Sequence, residues 1–273
     1  MKKRLVSLIS YVLIGICAAV AIYEGVQIYM DQKEYRVADK EYEDLARRLV
    51  EVPASTDTEV QNAAKKADEA NKTDEDVPPA FKVDYDALEK INPDFIGWIY
   101  FEALDISYPV VREQKENQYI HLTFDGKTNK SGCIFMDTLS SADFSGKSDF
   151  IFGHNMRNLS MFGSMKLLYK KGNENLLQKH PYIYIYTKKG TYQYKVFAYE
   201  TTHTGSSVYD EIKSDEEYDQ YVEGAIKRSI YPGTEEPDFS ERPEILNLST
   251  CSGEAGGTKR FVVHTVKIKT WTN

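Results

Sequence analysis

The sequence predicts a mainly β protein: a closed barrel of mostly antiparallel strands with helices attached to it. Aromatic and β-branched residues are frequent, with 20 tyrosines and 12 phenylalanines among 273 residues, and these residue types favour strands. The strand-like runs are joined by short connections, with little of the strand–helix alternation that produces parallel sheets. Hydrophobic residues make up 41% of the chain, which is enough for one large domain with a sizeable core.

The N-terminal segment has the pattern of a membrane-spanning helix. The basic stretch from Lys2 to Arg4 precedes an uncharged and mostly apolar stretch from Leu5 to Tyr23, and the first acidic residue is Glu24. A helix of about 20 apolar residues crosses the hydrocarbon core of a bilayer. Basic residues before such a helix favour a cytoplasmic N-terminus. We therefore expect a single-pass anchor in the cell membrane, with the rest of the chain outside the cell.

Two other interpretations of this segment concern export signals. A cleaved secretory signal usually has an apolar region of about 7 to 15 residues, and Ala18, Ala19 and Ala21 offer a cleavage site. A lipoprotein signal would use Cys17, but Ile16 is bulkier than the small residue that usually precedes such a cysteine. Under each of these interpretations the remaining chain is exported.

Composition divides the chain that follows the anchor. Residues 31–50 carry mixed charges with tyrosines and leucines at helical spacing, which predicts a helical stalk. Residues 51–80 contain almost no large apolar side chains, so they cannot offset chain entropy by burial, and we expect a flexible or loosely helical spacer there. The predicted divisions are a cytoplasmic tip at 1–4, a transmembrane anchor at 5–28, a stalk and spacer at 29–80, and an extracellular folded domain at 81–273.

The first half of the folded domain contains short helices and strands. Asp84 can cap a helix that ends at Ile91, with Pro93 just beyond its end. Large apolar residues at amphipathic spacing predict a longer helix over 159–178. Strands are expected at 95–101, 106–111, 132–137 and 149–152.

The second half begins with the clearest hairpin signal. Tyrosines alternate with isoleucines over 182–186, a Lys-Lys-Gly turn follows, and alternation resumes over 192–198. We expect the tyrosine face to be a half-buried sheet surface, with a sugar-binding strip as the alternative. Ser214 and Glu217 form a capping box before an apolar stripe, which predicts an inserted helix over 214–230. The last two strands are expected at 244–250 and 260–270.

Cys251 is the candidate nucleophile. It lies in the stretch Asn-Leu-Ser-Thr-Cys-Ser-Gly at 247–253, where an apolar strand ends and a loop begins, so its thiol is expected to be accessible. A cysteine attacks as its thiolate and needs positive charge or an imidazole nearby. Cys17 lies in the predicted anchor, and Cys133 is expected to be a buried strand residue, with a Cys133–Cys251 disulfide as the alternative.

His154 and Arg260 are the candidate partners of this cysteine. His154 follows the apolar run 150–152 and a glycine, so it lies just past a strand end, as Cys251 does. If the last strand pairs antiparallel with the strand that ends at Cys251, Arg260 lies beside the cysteine. A guanidinium stays charged at any relevant pH and can donate hydrogen bonds to an oxyanion.

Composition and motifs argue against several other classes of function. The formal net charge of −8 argues against the concentrated basic face that nucleic-acid binding needs. No two of the five histidines lie within four residues of each other, and the sequence has no CxxC motif, so we expect no metal site. The glycines at 253–257 lack the Lys-Ser/Thr ending of a phosphate-binding loop. We expect no cofactor.

Together these motifs resemble those of the sortases, which are cysteine transpeptidases anchored to the cell membrane of Gram-positive bacteria. The resemblance is carried by NLSTC at 247–251, KRFVVHT at 259–265 and FGHN at 152–155. Asn247 takes the place of the family's usual threonine, a departure that is conservative in size. The helix over 214–230, with the segments INPDFIGWI and YIHLTFDGKTNKSGCIFMD, is similar to class B members. The resemblance covers residues 81–272 and implies a sortase-type barrel.

The resemblance implies a role for each candidate residue. Cys251 would attack the threonine carbonyl of a C-terminal sorting signal and form a thioester, and Arg260 would stabilise the oxyanion. His154 would protonate the departing amine and deprotonate the incoming one. The acceptor would be an amine of peptidoglycan or, in a pilin-polymerising enzyme, a lysine. The residues expected to bind the sorting peptide are Ser249, Thr250 and Ile120.

Two competing functions predict other sequence features or another behaviour of Cys251. Papain-like hydrolases place the cysteine before the histidine, the reverse of the order here, and caspase-like enzymes carry a Gln-Ala-Cys-x-Gly signature that Ser-Thr-Cys-Ser-Gly does not match. A membrane-tethered binding domain with an inert Cys251 differs in class. It predicts that a Cys251→Ala variant retains full function.

Overall fold

The centre of the molecule is a closed barrel of eight strands. The computed structural model describes residues 2–51, 78, 81–173, 175–231, 233, 237–252 and 256–272. The barrel strands are β3 (Phe95–Phe101), β4 (Ile106–Arg112), β5 (Ile134–Met136), β6 (Ser148–Phe152), β7 (Tyr182–Thr187), β8 (Gly190–His203), β9 (Ile245–Cys251) and β10 (Lys259–Thr272). They close in the order β10-β8-β7-β3-β4-β5-β6-β9, and among these described strands only the pairs β4–β5 and β6–β9 are parallel. The predicted fold class is confirmed.

Apolar side chains along the strands fill the barrel interior. Trp98, Ile99 and Phe101 of β3 are fully buried, and so are Ile183 and Ile185 of β7. Burying one such side chain contributes about 1.5 to 3 kcal/mol relative to its exposed state. The isoleucines of the predicted hairpin therefore fix the register of β7, because a slip by one residue would turn them outward.

The position of β9 determines which residues meet at the rim of the barrel. β9 pairs in parallel with β6, with Phe152 opposite Ser249, and antiparallel with β10, with Arg260 opposite Cys251. The carboxyl ends of β6 and β9 therefore meet the amino end of β10. The antiparallel pairing expected for the last two strands is confirmed.

Two predicted helices are present with the predicted caps. In α2 (Tyr85–Ile91) the Asp84 carboxylate accepts a hydrogen bond from the N–H of Ala87 at 3.0 Å. The inserted helix is α4 (Asp215–Arg228), and both hydrogen bonds of its Ser214–Glu217 capping box are formed. Tyr218, Val222 and Ala225 of α4 are buried against the barrel.

The prediction of a single helix over 159–178 is wrong. That region contains a 3-10 helix at Gly163–Tyr169 and the one-turn helix α3 at Leu176–Lys179. Met161 has a left-handed φ of 54°, which interrupts any α-helix at that point. The N–H of Phe162 donates to the carbonyl of His154 at 3.0 Å, so a tertiary hydrogen bond to the barrel rim replaces a helical one.

The N-terminal helix α1 (Lys2–Leu49) continues without a break from the apolar segment into the predicted stalk, whose helical character is confirmed. By length and composition α1 could cross a membrane. Near its C-terminal end, Ala38 and Tyr42 are buried in the main hydrophobic core. β1 (Val50–Glu51) then pairs with β2 (Lys82–Val83). Most of the spacer predicted for 51–80 lies outside the described residues.

A buried polar network attaches α4 to the barrel. The Nε of Arg228 donates to both carboxylate oxygens of Glu200, at 3.0 and 2.8 Å. The Nε2 of His264 lies 3.2 Å from the same carboxylate, and its Nδ1 lies 2.8 Å from Oδ1 of Asn247. Burial raises the pKa of Glu200, but the hydrogen bonds from His264 and Arg228 outweigh burial, so the pKa is lowered. The carboxylate therefore stays ionised.

Arg228→Met is expected to lower the free energy of unfolding by about 2 to 3 kcal/mol. The substitution leaves the carboxylate of Glu200, which is 2% exposed, without its cation. Breaking a fully buried ion pair costs about 3 to 5 kcal/mol, and the cost is smaller here because the side chain of Arg228 is 44% exposed. Urea unfolding measures the effect. Arg242→Met, which removes surface ion pairs with Asp219 and Asp215, is the control, and an equal loss in both variants would contradict the prediction.

Candidate active site

Cys251 is the last residue of β9 and is partly exposed at the barrel rim. β6 and β9 run in parallel, with Phe152 opposite Ser249. His154 and Cys251 each follow that pair by two residues, so they come to lie beside each other. On the other side of β9, Arg260 is the direct partner of Cys251 in β10. The strand order therefore brings the three predicted residues together, with the cysteine in the middle.

Gly153 allows the chain just before His154 to pass close to the side chains of Ile134 and Phe162. The N–H of Gly153 donates to the carbonyl of Ser249 at 3.2 Å, so the ladder continues one residue past β6. A Cβ at Gly153 would lie 2.5 Å from Ile134 and 2.9 Å from Phe162, well inside contact distance. Glycine is therefore required before His154.

The imidazole of His154 is fixed by one backbone hydrogen bond. Its Nε2 lies 2.7 Å from the carbonyl oxygen of Ile120. A carbonyl oxygen only accepts, so Nε2 carries the hydrogen and Nδ1 is left for proton exchange. Burial lowers the pKa of His154 below its ordinary value, the Ile120 hydrogen bond opposes that shift, and the nearby His121 adds to it.

The guanidinium of Arg260 is held over the loop that joins β9 and β10. Its Nη1 donates to the carbonyl oxygens of Gly257 and Lys259 at 2.8 and 2.9 Å. Burial raises the pKa of Tyr209, the charge of Arg260 lowers it, and Cys251 raises it. Arg260 therefore makes two hydrogen bonds to the backbone of this loop, and its charge favours the ionised form of the Tyr209 hydroxyl.

The three residues expected to bind peptide occupy different positions. Ser249 is fully buried, and its hydroxyl lies 2.9 Å from that of Tyr209. Thr250 is 4% exposed and donates to the carbonyl of Gly153 at 2.7 Å. Ile120 is half-buried beside the imidazole whose hydrogen it accepts.

Three neighbours of the site were not predicted from the sequence. Asn155 donates from Nδ2 to the carbonyl of Cys251 at 2.8 Å and so ties the His154 loop to the end of β9. His121 stacks on His154 with ring centroids 5.8 Å apart. Tyr209 is the last residue of a 3-10 helix, Ser207–Tyr209, that follows β8. The FGHN motif contains Asn155, but nothing in the sequence indicates the contacts of His121 or Tyr209.

Cys133 differs from Cys251 in accessibility and chemistry. Both are free cysteines, so the alternative disulfide is not formed. Cys133 is fully buried, and burial raises the pKa of its thiol to about 12. A thiol with such a pKa is almost entirely protonated at neutral pH and is a poor nucleophile. Of these two thiols, only that of Cys251 is accessible to solvent.

The imidazole of His154 is expected to titrate with a midpoint below pH 6.5. Its pKa is lowered in the folded state, so the unfolded chain binds the proton more tightly. The corresponding stability is present above pH 6.5 and is lost as the pH falls from 6.5 towards the folded pKa. Nuclear magnetic resonance of the ring signals, assigned with a His154→Asn variant, measures the midpoint. A midpoint at or above pH 6.5 would show that burial is not the main influence on the pKa of His154.

Known proteins share this fold and these motifs. Residues 99–268 match the family model described as the Sortase domain. The chain is 26% identical to Sortase B of Staphylococcus aureus (strain NCTC 8325 / PS 47) over 97% of each chain. A solved Staphylococcus aureus sortase B–substrate complex aligns with a TM-score of 0.65 and 26% identity, covering 88% of this chain and 99% of the other.

A second solved structure, of a Sortase B complexed with triglycine, aligns with a TM-score of 0.61 and 28% identity. The alignment covers 68% of this chain and 85% of that structure. Together with the matched domain and the eight-stranded barrel, these relatives identify both the family and its class. The chain belongs to the sortase family and is a class B cysteine transpeptidase.

Proposed function

We propose that this transpeptidase is anchored in the membrane, cleaves a C-terminal sorting signal after threonine, and transfers the protein to an amine of peptidoglycan. The observation that supports the proposal is the strand register: Arg260 pairs with Cys251, and His154 follows the Phe152–Ser249 pair by two residues, as Cys251 does. An imidazole and a guanidinium flanking one accessible thiol are the groups that acyl transfer through a thioester requires.

In the first half of the proposed reaction, the Cys251 thiol gives its proton to Nδ1 of His154, and its sulfur bonds to the carbonyl carbon of the threonine. The guanidinium of Arg260 donates to the oxyanion of the tetrahedral intermediate. The carbon–nitrogen bond then breaks, and the departing amine takes a proton from Nδ1 of His154. The product is a thioester between the peptide and the enzyme.

In the second half, an acceptor amine attacks the thioester carbonyl and gives a proton to Nδ1 of His154. The carbon–sulfur bond breaks, and the sulfur of Cys251 takes the proton back from Nδ1 of His154. Because Nε2 of His154 is held by the Ile120 carbonyl, the same ring nitrogen serves all of these proton transfers. An amide bond has replaced an amide bond, and the enzyme returns to its starting state.

The sorting peptide is proposed to bind along the rim near Ile120, Ser249 and Thr250. Ser249 and Thr250 are buried, so their contribution passes through the groups that they hold. The Ser249 hydroxyl lies 2.9 Å from that of Tyr209, whose ring is half-buried. Ile120 supplies an apolar contact next to His154.

Related observations support the proposed acceptor and the proposed cellular location. One similar structure is a Sortase B complexed with triglycine, which supports an amine acceptor here because such a peptide has a free amino terminus. The apolar part of α1 supports a single-pass anchor at 5–28 in the cell membrane of a Gram-positive bacterium, with the tip at 1–4 inside. The domain at 81–273 would then be extracellular.

A ligation screen with the full chain in detergent tests the proposal. Sorting peptides that vary around a central threonine are mixed with triglycine, a peptidoglycan stem peptide or a lysine-containing pilin peptide, and the products are identified by mass spectrometry. Ligation to triglycine or to the stem peptide is expected. Ligation only to the lysine peptide would indicate a pilin-polymerising enzyme, and a free acid with every acceptor would indicate a protease.

A further inference from the structure

Tyr42 of α1 reaches into the loop that holds the catalytic imidazole. Its side chain is 3% exposed, and its hydroxyl donates to the carbonyl of Gly132 at 2.6 Å. The ring packs edge-on against Tyr108 of β4 with centroids 5.4 Å apart. The helix that carries the apolar N-terminal segment is therefore joined to the barrel at a point close to the active site.

Gly132 lies between Tyr42 and the carbonyl of Ile120. Gly132 has a left-handed φ of 59°, and a Cβ there would lie 2.4 Å from the carbonyl oxygen of Ile120 and 2.7 Å from that of Tyr119. The N–H of Cys133 donates to Tyr119 at 3.1 Å. The backbone at Gly132 thus packs directly against the carbonyl that accepts the hydrogen of His154.

Other residues of α1 hold the same loop. The carboxylate of Glu34 accepts a hydrogen bond from the N–H of Lys130 at 2.7 Å, and its backbone carbonyl accepts one from Asn129 at 3.1 Å. The carboxylate of Glu41 accepts one from the N–H of Asp125 at 3.2 Å. The loop from 119 to 133 is therefore attached to α1 at several points.

A second set of contacts holds the segment that follows His154. Asn158 donates to the carboxylate of Asp39 on α1 at 2.7 Å. The N–H of Met161 donates to the Tyr108 hydroxyl at 3.0 Å, and the ring of Tyr108 packs against Tyr42. α1 therefore supports both the hydrogen-bond acceptor of the imidazole and the chain that carries it.

We propose that Tyr42 is a positioning residue for His154, and that the docked part of α1, residues 31–49, holds the imidazole in its productive orientation through Gly132 and Ile120. The proposal rests on the role of His154 proposed above. Under this proposal, the helix that leads to the membrane contributes to catalysis by orienting His154. Loss of docking at Tyr42 would release the Ile120 carbonyl and let the ring turn away from Cys251.

Tyr42→Phe tests the proposal because it removes only the hydroxyl that bonds to Gly132. With the full chain in detergent, kcat for ligation is expected to fall by about 10-fold, since small misplacements of a catalytic group are costly, while KM for the sorting peptide stays unchanged. The midpoint of His154 is expected to move to lower pH, because the Ile120 hydrogen bond is the contact that opposes the effects of burial and of His121.

Two further variants separate positioning from folding. Tyr29→Phe, on an exposed part of the same helix, is the matched control and should leave kcat and the His154 midpoint unchanged. Gly132→Ala pushes directly on the Ile120 carbonyl and should lower kcat at least as much as Tyr42→Phe. Thermal unfolding confirms that each variant is folded at the assay temperature.

Two results would overturn the proposal. One is a kcat within twofold of the Tyr29→Phe control, and the other is a fall in kcat with the His154 midpoint unmoved, which indicates a purely structural role. Failure of the proposed function is recognised separately, because the unmodified chain would then give no ligated product. In that case the titration of His154 still decides whether Tyr42 holds the ring.

Discussion

Cys251→Ala is expected to lower the rate of ligation by more than about 10³-fold, because no other described thiol can replace the one that forms the thioester. Cys251 lies at the strand end between His154 and Arg260, whereas Cys133 is fully buried. Steady-state ligation with a sorting peptide and triglycine measures the loss. The substitution removes only one sulfur atom from a partly exposed position, so the fold should persist.

Cys17→Ala is the matched control for this prediction. Cys17 is exposed on α1 within the apolar segment, away from the barrel, so its loss should leave ligation unchanged. A Cys251→Ala chain that keeps its activity would favour the competing interpretation, in which the protein is a binding domain with an inert cysteine. Equal losses in both variants would point to damage unrelated to the site.

Arg260→Met is expected to reduce kcat by about 10² to 10³-fold, the range found when one oxyanion-stabilising donor is removed. Arg260 is the β10 partner of Cys251, and its Nη1 is oriented by two carbonyls of the preceding loop. Arg260→Lys should restore only part of the loss, because an ammonium lacks the planar fork of donors. Single-turnover kinetics of thioester formation measure this step.

Lys259→Met provides the comparison for Arg260. Lys259 is the neighbouring cation on the same strand, it is exposed, and its side chain points to the opposite face. Its replacement should change the rate by less than about twofold. If Lys259→Met were as damaging as Arg260→Met, the effect would arise from net charge near the rim rather than from a positioned guanidinium.

Much of the barrel was predictable because its signals are local or depend on strand order. Alternation over 182–198, the Ser214–Glu217 capping box and the Asp84 cap each predict an element from neighbouring residues. The meeting of Cys251 and Arg260 needs only a short connection between antiparallel strands. The strand-end position of His154 indicated the partner histidine, and the family resemblance then gave each residue its expected role.

The remaining features depend on contacts between distant segments. The region 159–178 has helical spacing, yet a hydrogen bond from Phe162 to the rim and a left-handed Met161 override that preference. Tyr42 stands in the sequence only as one tyrosine in a charged stalk, and its partner Gly132 is far along the chain. Neither contact leaves a periodic signal that sequence reasoning can detect.

Asn247 shows how a small departure from the family motif is accommodated. Its Oδ1 accepts a hydrogen bond from Tyr221 of α4 and faces His264 of β10, and its Nδ2 donates to Ser148 of β6 at 2.9 Å. The residue is fully buried, so each polar atom needs a partner. The amide therefore links three strands and the inserted helix four residues before Cys251, below the rim where the chemistry occurs.

Intact-mass spectrometry of the enzyme with a sorting peptide and no amine tests the central claim most directly. The chain is expected to gain the mass of the peptide fragment that ends in threonine, on Cys251 alone, and to lose it when triglycine is added. Peptide cleavage without this adduct, or an adduct on another residue, would contradict the claim that a thiol flanked by His154 and Arg260 carries the acyl group.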